Sequence, residues 1–468
     1  MIALTPTEIA EAIGGRLVPA ADGGGTTPIA GRAQTDSREV GPGEIFVARR
    51  GEETDGHLYA AQAVDRGAAL LIVEREIDDR VPQIVVAEAT EALGLLAKHV
   101  VRLALSAGGL TIVGITGSNG KTTTKNLVAA RAERLGPTVA SEKSFNNEVG
   151  GPLTMLRVDV GTRTLVAEMG ASAEGEIARL TDMAPPHIGV VLSVGLAHAG
   201  EFGGIETTFR TKSEMVRDLP EDAVAVLHRD DPWVAKMAEL TRARIVWFGR
   251  RDDAHVRASD VEGSAQGTSF TIHAGTEALP VRFGVLGEHH VANALAAAAI
   301  GLELGLPLAE IVASLEATTI AAPGRMQVLP GRDGITVIND AYNASPDSMS
   351  AALKTLAQVA RPGARAVAVL GAMSELGELS GEEHDRIGLQ VVRLGIDELV
   401  VVGKEARRLH ISAINEGSWD GESVFFEDHD EALDYLVRTV RPADTVLVKS
   451  SNAAGLQRLG DRLGEALA

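Results

Sequence analysis

Gly117, Ser118, Asn119, Gly120, Lys121, Thr122 and Thr123 follow directly on the apolar run Thr111-Ile-Val-Gly-Ile-Thr116. A turn built on Gly117 and Gly120 can aim backbone N–H groups at phosphate oxygens, because no Cβ intervenes and glycine accepts positive φ. In that arrangement Lys121 adds a charge to the β- and γ-phosphates of a nucleoside triphosphate such as ATP, and the Thr122 hydroxyl reaches a Mg²⁺. The general phosphate-loop pattern has a glycine where this chain has Ile115. The strand before the turn and the helix-forming segment Lys125–Leu135 after it supply the expected setting.

Ligands of open parallel sheets collect beyond the carboxyl ends of the strands, so the residues that follow each strand matter most. Glu168 ends the apolar run that begins at Thr164, where a carboxylate can take a Mg²⁺ bridging phosphates. His198 follows Ile188–Val194; spacing leaves it open as a metal ligand or a structural histidine. Asn146 and Asn147 sit in a loop and either bind substrate or cap a helix. Asp340, Tyr342 and Asn343 place an acid, a phenol and an amide after a strand, and Asp340 has an N-cap as its alternative role. Arg325, in Pro323-Gly-Arg-Met326, lies at a hinge from which it reaches a phosphate or ribose only after closure. Lys212, taken by itself, reads as a solvated surface lysine.

The elements that must position these groups read as an α/β chain of three domains. Residues 1–107 contain short apolar runs, Glu44–Ala48 and Ala68–Glu74, and a helix around Glu88–Leu105. Residues 108–322 alternate strand candidates Leu110–Ile115, Thr164–Ala167 and His187–Val194 with helical stretches, the pattern of a largely parallel sheet, with a strand-rich, polar insertion or edge over Ala254–Phe283. A break at Thr319–Gly324 opens residues 323–468, where Gly334–Asn339, Ala366–Leu370, Leu399–Val402, Ser423–Phe426 and Thr445–Val448 alternate with helices as a second, Rossmann-like parallel unit.

Composition bounds the partners. A formal net charge of −20 over 468 residues argues against nucleic acid, which calls for a basic face. The absence of cysteine excludes disulfides and thiolate metal sites. The N-terminal Met1-Ile-Ala-Leu-Thr-Pro6 lacks the basic and apolar regions of a signal peptide. Val291–Gly305 is interrupted by Asn293 and Glu303 and falls short of a membrane span, so it reads as a buried helix.

Taken in order, these motifs resemble the Mur ligases of peptidoglycan precursor synthesis over nearly the whole chain. Their ATP loop also lacks the first glycine, which accounts for Ile115. The resemblance implies that Glu168 holds a first Mg²⁺, that His198 holds a second, and that Lys212 carries a carbamate beside them. It makes Asn293 an adenine contact, and Arg325 and Asp340 nucleotide contacts from across the hinge. The segment Thr35–Ala48, with Ser37 and Arg38, together with Gly51–His57, resembles the UDP-sugar domain shared by members that add the third residue and the terminal dipeptide. Ser144–Pro152, Asp340–Pro346, and Leu370–Glu378 with His384 look like the members that add D-Ala-D-Ala; the Asp-Asn-Pro-Arg-type string of the third-residue ligases is absent. Ser144, Ser345, Ala372 and Asn452 depart from what relatives often carry. The implied activity is ATP-driven joining of D-Ala-D-Ala to the C-terminal carboxylate of UDP-N-acetylmuramoyl-tripeptide through an acyl phosphate, by a cytoplasmic monomer. The alternatives are addition of meso-diaminopimelate or lysine as the third residue, or a phosphate-loop NTPase switch.

Overall fold

The run Thr111–Thr116 is apolar on consecutive residues, as a strand covered on both faces requires. It lies third from one edge of a nine-stranded sheet in the computed structural model, which describes all residues except 21–26, 52–53, 78–79, 143, 197–203, 319–322 and 362. Thr164–Glu168 pairs with it on one side and Ile188–Val191 on the other, both parallel. Thr138–Ala140 lies outside Thr164–Glu168. Beyond Ile188–Val191 come Val224–His228 and Arg244–Gly249, also parallel. The sheet then turns antiparallel through Val256–Ser264, Gly267–Ala274 and Glu277–Phe283, the strand-rich insertion expected from sequence. Chain order reverses around Thr111–Thr116, so the glycine turn opens at the crevice where such sheets bind ligands.

The first sheet has the order Arg16–Val18, Gln83–Val85, Leu70–Val73, Ile45–Val47, Ala33–Gln34, with only Arg16–Val18 antiparallel to its neighbour. Helix Ala89–Ala107 covers it and buries Leu93, Leu96, Val100 and Val101. The same helix shares one apolar core with Leu156, Leu180 and Met183 of the central unit. Close approach requires a glycine here: a Cβ on Gly94 would stand 2.6 Å from Cε of Met183. The third sheet runs Gln327–Pro330, Thr336–Asn339, Thr445–Lys449, Ala366–Leu370, Glu398–Val402, Glu422–Phe426, parallel except for its first strand. Its central strands end at Asn339, Lys449 and Leu370, and the loop after Asn339, with Lys449, faces the glycine turn of the central unit. No helix among the described residues is long and apolar enough to cross a membrane.

Candidate active site

The glycine turn is held by its own packing. Gly120 has φ +85°, and a Cβ there would lie 2.2 Å from Oδ1 of Asn293, so only glycine lets the turn pack on that side chain. Helix Lys121–Ala132 starts immediately after, four residues earlier than the sequence pattern suggests, because the left-handed Gly120 already ends the turn. Lys121 Nζ donates to the Gly117 carbonyl at 2.6 Å. Burial lowers its ammonium pKa, and nearby Glu168 opposes that shift. Ser118 and Asn119 tie the turn to Ser193–Gly195: Gly195 N–H donates to Ser118 Oγ at 2.9 Å, and Asn119 N–H donates to Ser193 Oγ at 3.1 Å.

Thr122 and Glu168 meet within this turn. The Thr122 hydroxyl donates to Oε2 of Glu168 at 3.0 Å, and Asn146 Nδ2 donates to Oε1 at 2.8 Å. Asn147 instead caps the following helix through Val149 N–H and Gly150 N–H, at 3.2 and 2.9 Å. The two adjacent amides thus have different jobs: one aims the carboxylate, the other ends a loop. A buried hydroxyl and carboxylate side by side are hard oxygen donors that suit Mg²⁺, which keeps waters and phosphate oxygens at its other positions. Among the described residues no three His, Asp or Glu side chains cluster closely enough to hold a metal ion. His198 lies outside the described residues.

Lys212 corrects the surface reading. Helix Ile205–Arg217 carries it inward, leaving it 2% exposed. Burial, aided by the nearby charge of Lys121, pushes its ammonium pKa down to about 7. Glu214 on the same helix is used elsewhere, accepting from Gly175 N–H and Ala178 N–H at 2.7 and 2.9 Å. A surface pattern cannot reveal this lysine, because its burial comes from the elements packed over the helix.

The third domain already touches the turn. The Arg325 guanidinium lies 4.1 Å from the centre of the Tyr342 ring, and the Tyr342 hydroxyl donates to Ser144 Oγ at 3.0 Å. Ser144, a departure in sequence, also stands 3.4 Å from both Thr122 Oγ1 and the Arg325 guanidinium. Ser345 donates to Oδ1 of Asn119 at 3.2 Å. Arg325 therefore reaches the central unit in the arrangement observed, and together these groups enclose a cleft of about 560 Å³. Asp340 pairs with Lys449 at 2.6 Å and accepts from Met326 N–H at 2.9 Å, while Lys449 also donates to the Asn343 carbonyl at 2.9 Å. This holds the loop carrying Tyr342 and Asn343 on the strand ends. Lys449→Met leaves the Asp340 carboxylate without its ammonium, and an expected loss of about 3–5 kcal/mol should appear as a fall in the denaturation midpoint. Adding Asp340→Asn to that variant should recover part of the loss.

Lys449, His289 and His290 also line the cleft and were not singled out from sequence, since nothing local distinguishes them. Asn293 Nδ2 lies 3.1 Å from Nδ1 of His290, which makes Nδ1 the acceptor and Nε2 the protonated nitrogen. That Nε2 is buried and has no partner among the described residues. Burial pushes His289 down to about 4, and lowers His290 well below, and His384 below, the ordinary imidazole value. All three take up protons in the unfolded chain as pH falls through about 6.5, while the folded chain resists. Stability is therefore expected to hold above that value and to fall as pH drops from about 6.5 toward 4, read as urea midpoints across that range. A flat profile would contradict it.

Ser37 and Arg38 lie elsewhere. They line a separate cavity of about 380 Å³ in the first domain with Arg49, Tyr59 and Gln62. Ser37 Oγ donates to Gln62 at 2.7 Å, and Arg38 pairs with Asp36 at 2.7 Å. The structure thus gathers Lys121, Thr122, Glu168, Asn146, Asn293, Arg325, Asp340, Tyr342 and Asn343 around one cleft and leaves Ser37 and Arg38 at another.

Three family profiles cover most of the chain: "Mur ligase family, catalytic domain" over 33–100, "Mur ligase middle domain" over 115–301, and "Mur ligase, glutamate ligase domain" over 324–452. The chain is 44% identical to the UDP-N-acetylmuramoyl-tripeptide--D-alanyl-D-alanine ligase of Mycobacterium tuberculosis, covering 99% of this chain and 98% of that one. It superposes on MurF from Acinetobacter baumannii with a TM-score of 0.88 at 32% identity, covering 99% of both chains. A MurF ligase from Thermotoga maritima in complex with ADP gives 0.81 at 29% identity, covering 94% of this chain and 98% of that one. The chain belongs to the Mur ligase family.

Proposed function

We propose that this chain joins D-Ala-D-Ala to the C-terminal carboxylate of UDP-N-acetylmuramoyl-tripeptide, with ATP converted to ADP and phosphate. The carrying observation is a single cleft in which Lys121, Thr122 and Glu168 of the central unit face Arg325, Tyr342 and the Asp340–Lys449 pair of the third. Full-length similarity to a D-alanyl-D-alanine ligase and to an ADP-bound MurF fits that cleft. Residues 1–107 would hold the UDP end through the pocket of Ser37 and Arg38, residues 108–322 the triphosphate, and residues 323–468 the incoming dipeptide. The place of work is the cytoplasm, where ATP and UDP-linked precursors occur.

A carboxylate is a poor acyl donor in water, so it must first gain a leaving group. A carboxylate oxygen attacks the γ-phosphorus, the bridging bond to ADP breaks, and an acyl phosphate results. The dipeptide amine then adds to the carbonyl carbon, loses a proton, and expels phosphate from the tetrahedral intermediate. The protein contributes mainly position and charge. Amides of Gly117–Gly120 and the ammonium of Lys121 take the triphosphate. Asn146 keeps Glu168 turned toward Thr122. Asn293 and the protonated Nε2 of His290 face the base, and Arg325 stacked on Tyr342 covers the nucleotide from the third domain. Thr122, Glu168, His198 and a carbamate on Lys212 are the groups that would hold Mg²⁺. Bound there, the ion offsets the negative charge that gathers on the transferring phosphoryl group.

Labelling the tripeptide carboxylate with ¹⁸O tests the activation step. One label is expected in the released phosphate, because the attacking oxygen leaves with phosphorus. Unlabelled phosphate would rule the acyl phosphate out.

A further inference from the structure

A second cavity, about 400 Å³, opens on the far side of Lys121 between the central and third domains. Lys121 borders both this cavity and the nucleotide cleft. On the ligase reading above, an acceptor carboxylate must come within about 3–3.5 Å of the γ-phosphoryl group, which places it at their junction. The second cavity is then open to the side chain of the acceptor peptide's last residue.

The charged groups of that wall are unevenly committed. Lys121 belongs to the phosphates. Glu176 is tied into its own turn, accepting from Ser172 N–H and Ala173 N–H at 2.7 and 3.2 Å. Arg179 and Glu148 remain on the rim, 3.6 Å apart and each about half exposed to solvent. Opposite them the third domain contributes Glu375. Its loop is pinned behind the site, since Met373 N–H donates to His384 Nε2 at 3.1 Å and Ser374 Oγ meets Ser451 Oγ at 2.7 Å. Glu375 itself has φ +63°, a conformation that non-glycine residues rarely hold without support. Besides Lys121 and Glu176, the cavity wall therefore carries one guanidinium with a carboxylate beside it and a second carboxylate opposite. A side chain ending in an ammonium alone would satisfy the acids and leave Arg179 facing a cation. A side chain ending in both an ammonium and a carboxylate matches both signs.

We propose that Arg179, with Glu148 and Glu375, selects an acceptor whose last residue is a diamino dicarboxylic acid over one whose last residue is lysine. Arg179 takes the distal carboxylate in a forked ion pair, and the two glutamates take the distal ammonium. These residues touch substrate without joining the chemistry, so their effect belongs in KM.

The test is steady-state kinetics of the full-length enzyme with two UDP-N-acetylmuramoyl-tripeptides, one ending in meso-diaminopimelate and one in L-lysine. The native enzyme should favour the first by about 10–100-fold in kcat/KM, the size expected for a charged hydrogen-bonded contact. Arg179→Met should erase that preference by raising KM for the diaminopimelate acceptor, with no loss for the lysine acceptor, and Arg179→Lys should restore part of it. Glu375→Gln should weaken both acceptors. Equal use of both acceptors by the native enzyme, or an equal loss for both in Arg179→Met, overturns the selectivity while leaving the ligase reading intact. No product from either acceptor overturns both.

Discussion

Lys212→Ala is expected to lose about 10²–10³-fold in turnover and to regain part of it when acetate or another short carboxylate is supplied. The expectation begins with burial: helix Ile205–Arg217 carries the side chain into the interior, and an ammonium there is held down to about 7. A sizeable share of the amine is then unprotonated at neutral pH, and only that form adds to carbon dioxide. The nitrogen bonds to carbon, one proton leaves, and a positive group becomes an anionic oxygen donor. Near Lys121 such a donor would add an anionic oxygen of the hard kind that Mg²⁺ prefers. Alanine leaves room for a small carboxylate to replace the missing oxygens. If the lysine acted as a cation, alkylamines would rescue the variant and carboxylates would not. Normal turnover in the unrescued variant would remove the carbamate from the mechanism.

Lys121→Met should cost a similar 10²–10³-fold in kcat, with a smaller change in the KM for the tripeptide. Methionine keeps the length and the packing of the stem, so the variant isolates the charge. In the structure the ammonium is anchored on the Gly117 carbonyl at 2.6 Å, at the border of the two cavities. The turn's own backbone thus positions it, and it would meet the phosphoryl group as negative charge shifts toward the leaving ADP. Lys121→Arg is not expected to recover the loss, because a planar fork cannot take the place of a compact ammonium in so tight a turn. Single-turnover measurements with saturating ATP separate the chemical step from binding. An unchanged single-turnover rate would place Lys121 in binding alone.

The chemistry of the glycine turn was legible because it is local. A strand, a turn and a helix in sequence bring Gly117–Thr123 together, and Glu168 ends the neighbouring strand in register with Ile115. The alternation of strands and helices likewise foretold two parallel sheets. Several strands left no such trace. Arg16–Val18, Ala33–Gln34 and Thr138–Ala140 have two or three residues each, too few to show a period of two. The residues that depend on packing were equally hidden. Ser144 reads as a departure, yet it stands where Thr122, Arg325 and Tyr342 converge. Lys449 is an ordinary strand end until Thr445–Lys449 is placed beside Thr336–Asn339. Lys212 was found by family resemblance, since the helix pattern alone put it in solvent.

The boundary between the first two domains shows the same limit. The glycines at 108 and 109 mark a joint in sequence, and both do adopt positive φ, at 83° and 86°. Helix Ala89–Ala107 nevertheless packs on both sides of that joint and shares one core with the central unit. Hydrogen bonds join the central unit to the third domain, among them Tyr342 and Arg325 to Ser144, Ser345 to Asn119 and Gln358 to Glu288, and Leu286 of the central unit joins the third domain's apolar core. Relative motion is expected mainly between the central and third domains, where such hydrogen bonds can break and reform as substrates enter.

The central claim is that one chain couples ATP cleavage to an amide bond between a UDP-linked tripeptide and D-Ala-D-Ala. Mass spectrometry of the product, with ADP measured in parallel, tests it most directly. The predicted result is a species equal in mass to both substrates less one water, formed one for one with ADP and only when tripeptide, dipeptide and ATP are all present. ADP release that ignores the dipeptide, or extension of a UDP-linked dipeptide by meso-diaminopimelate or lysine in its place, would contradict it.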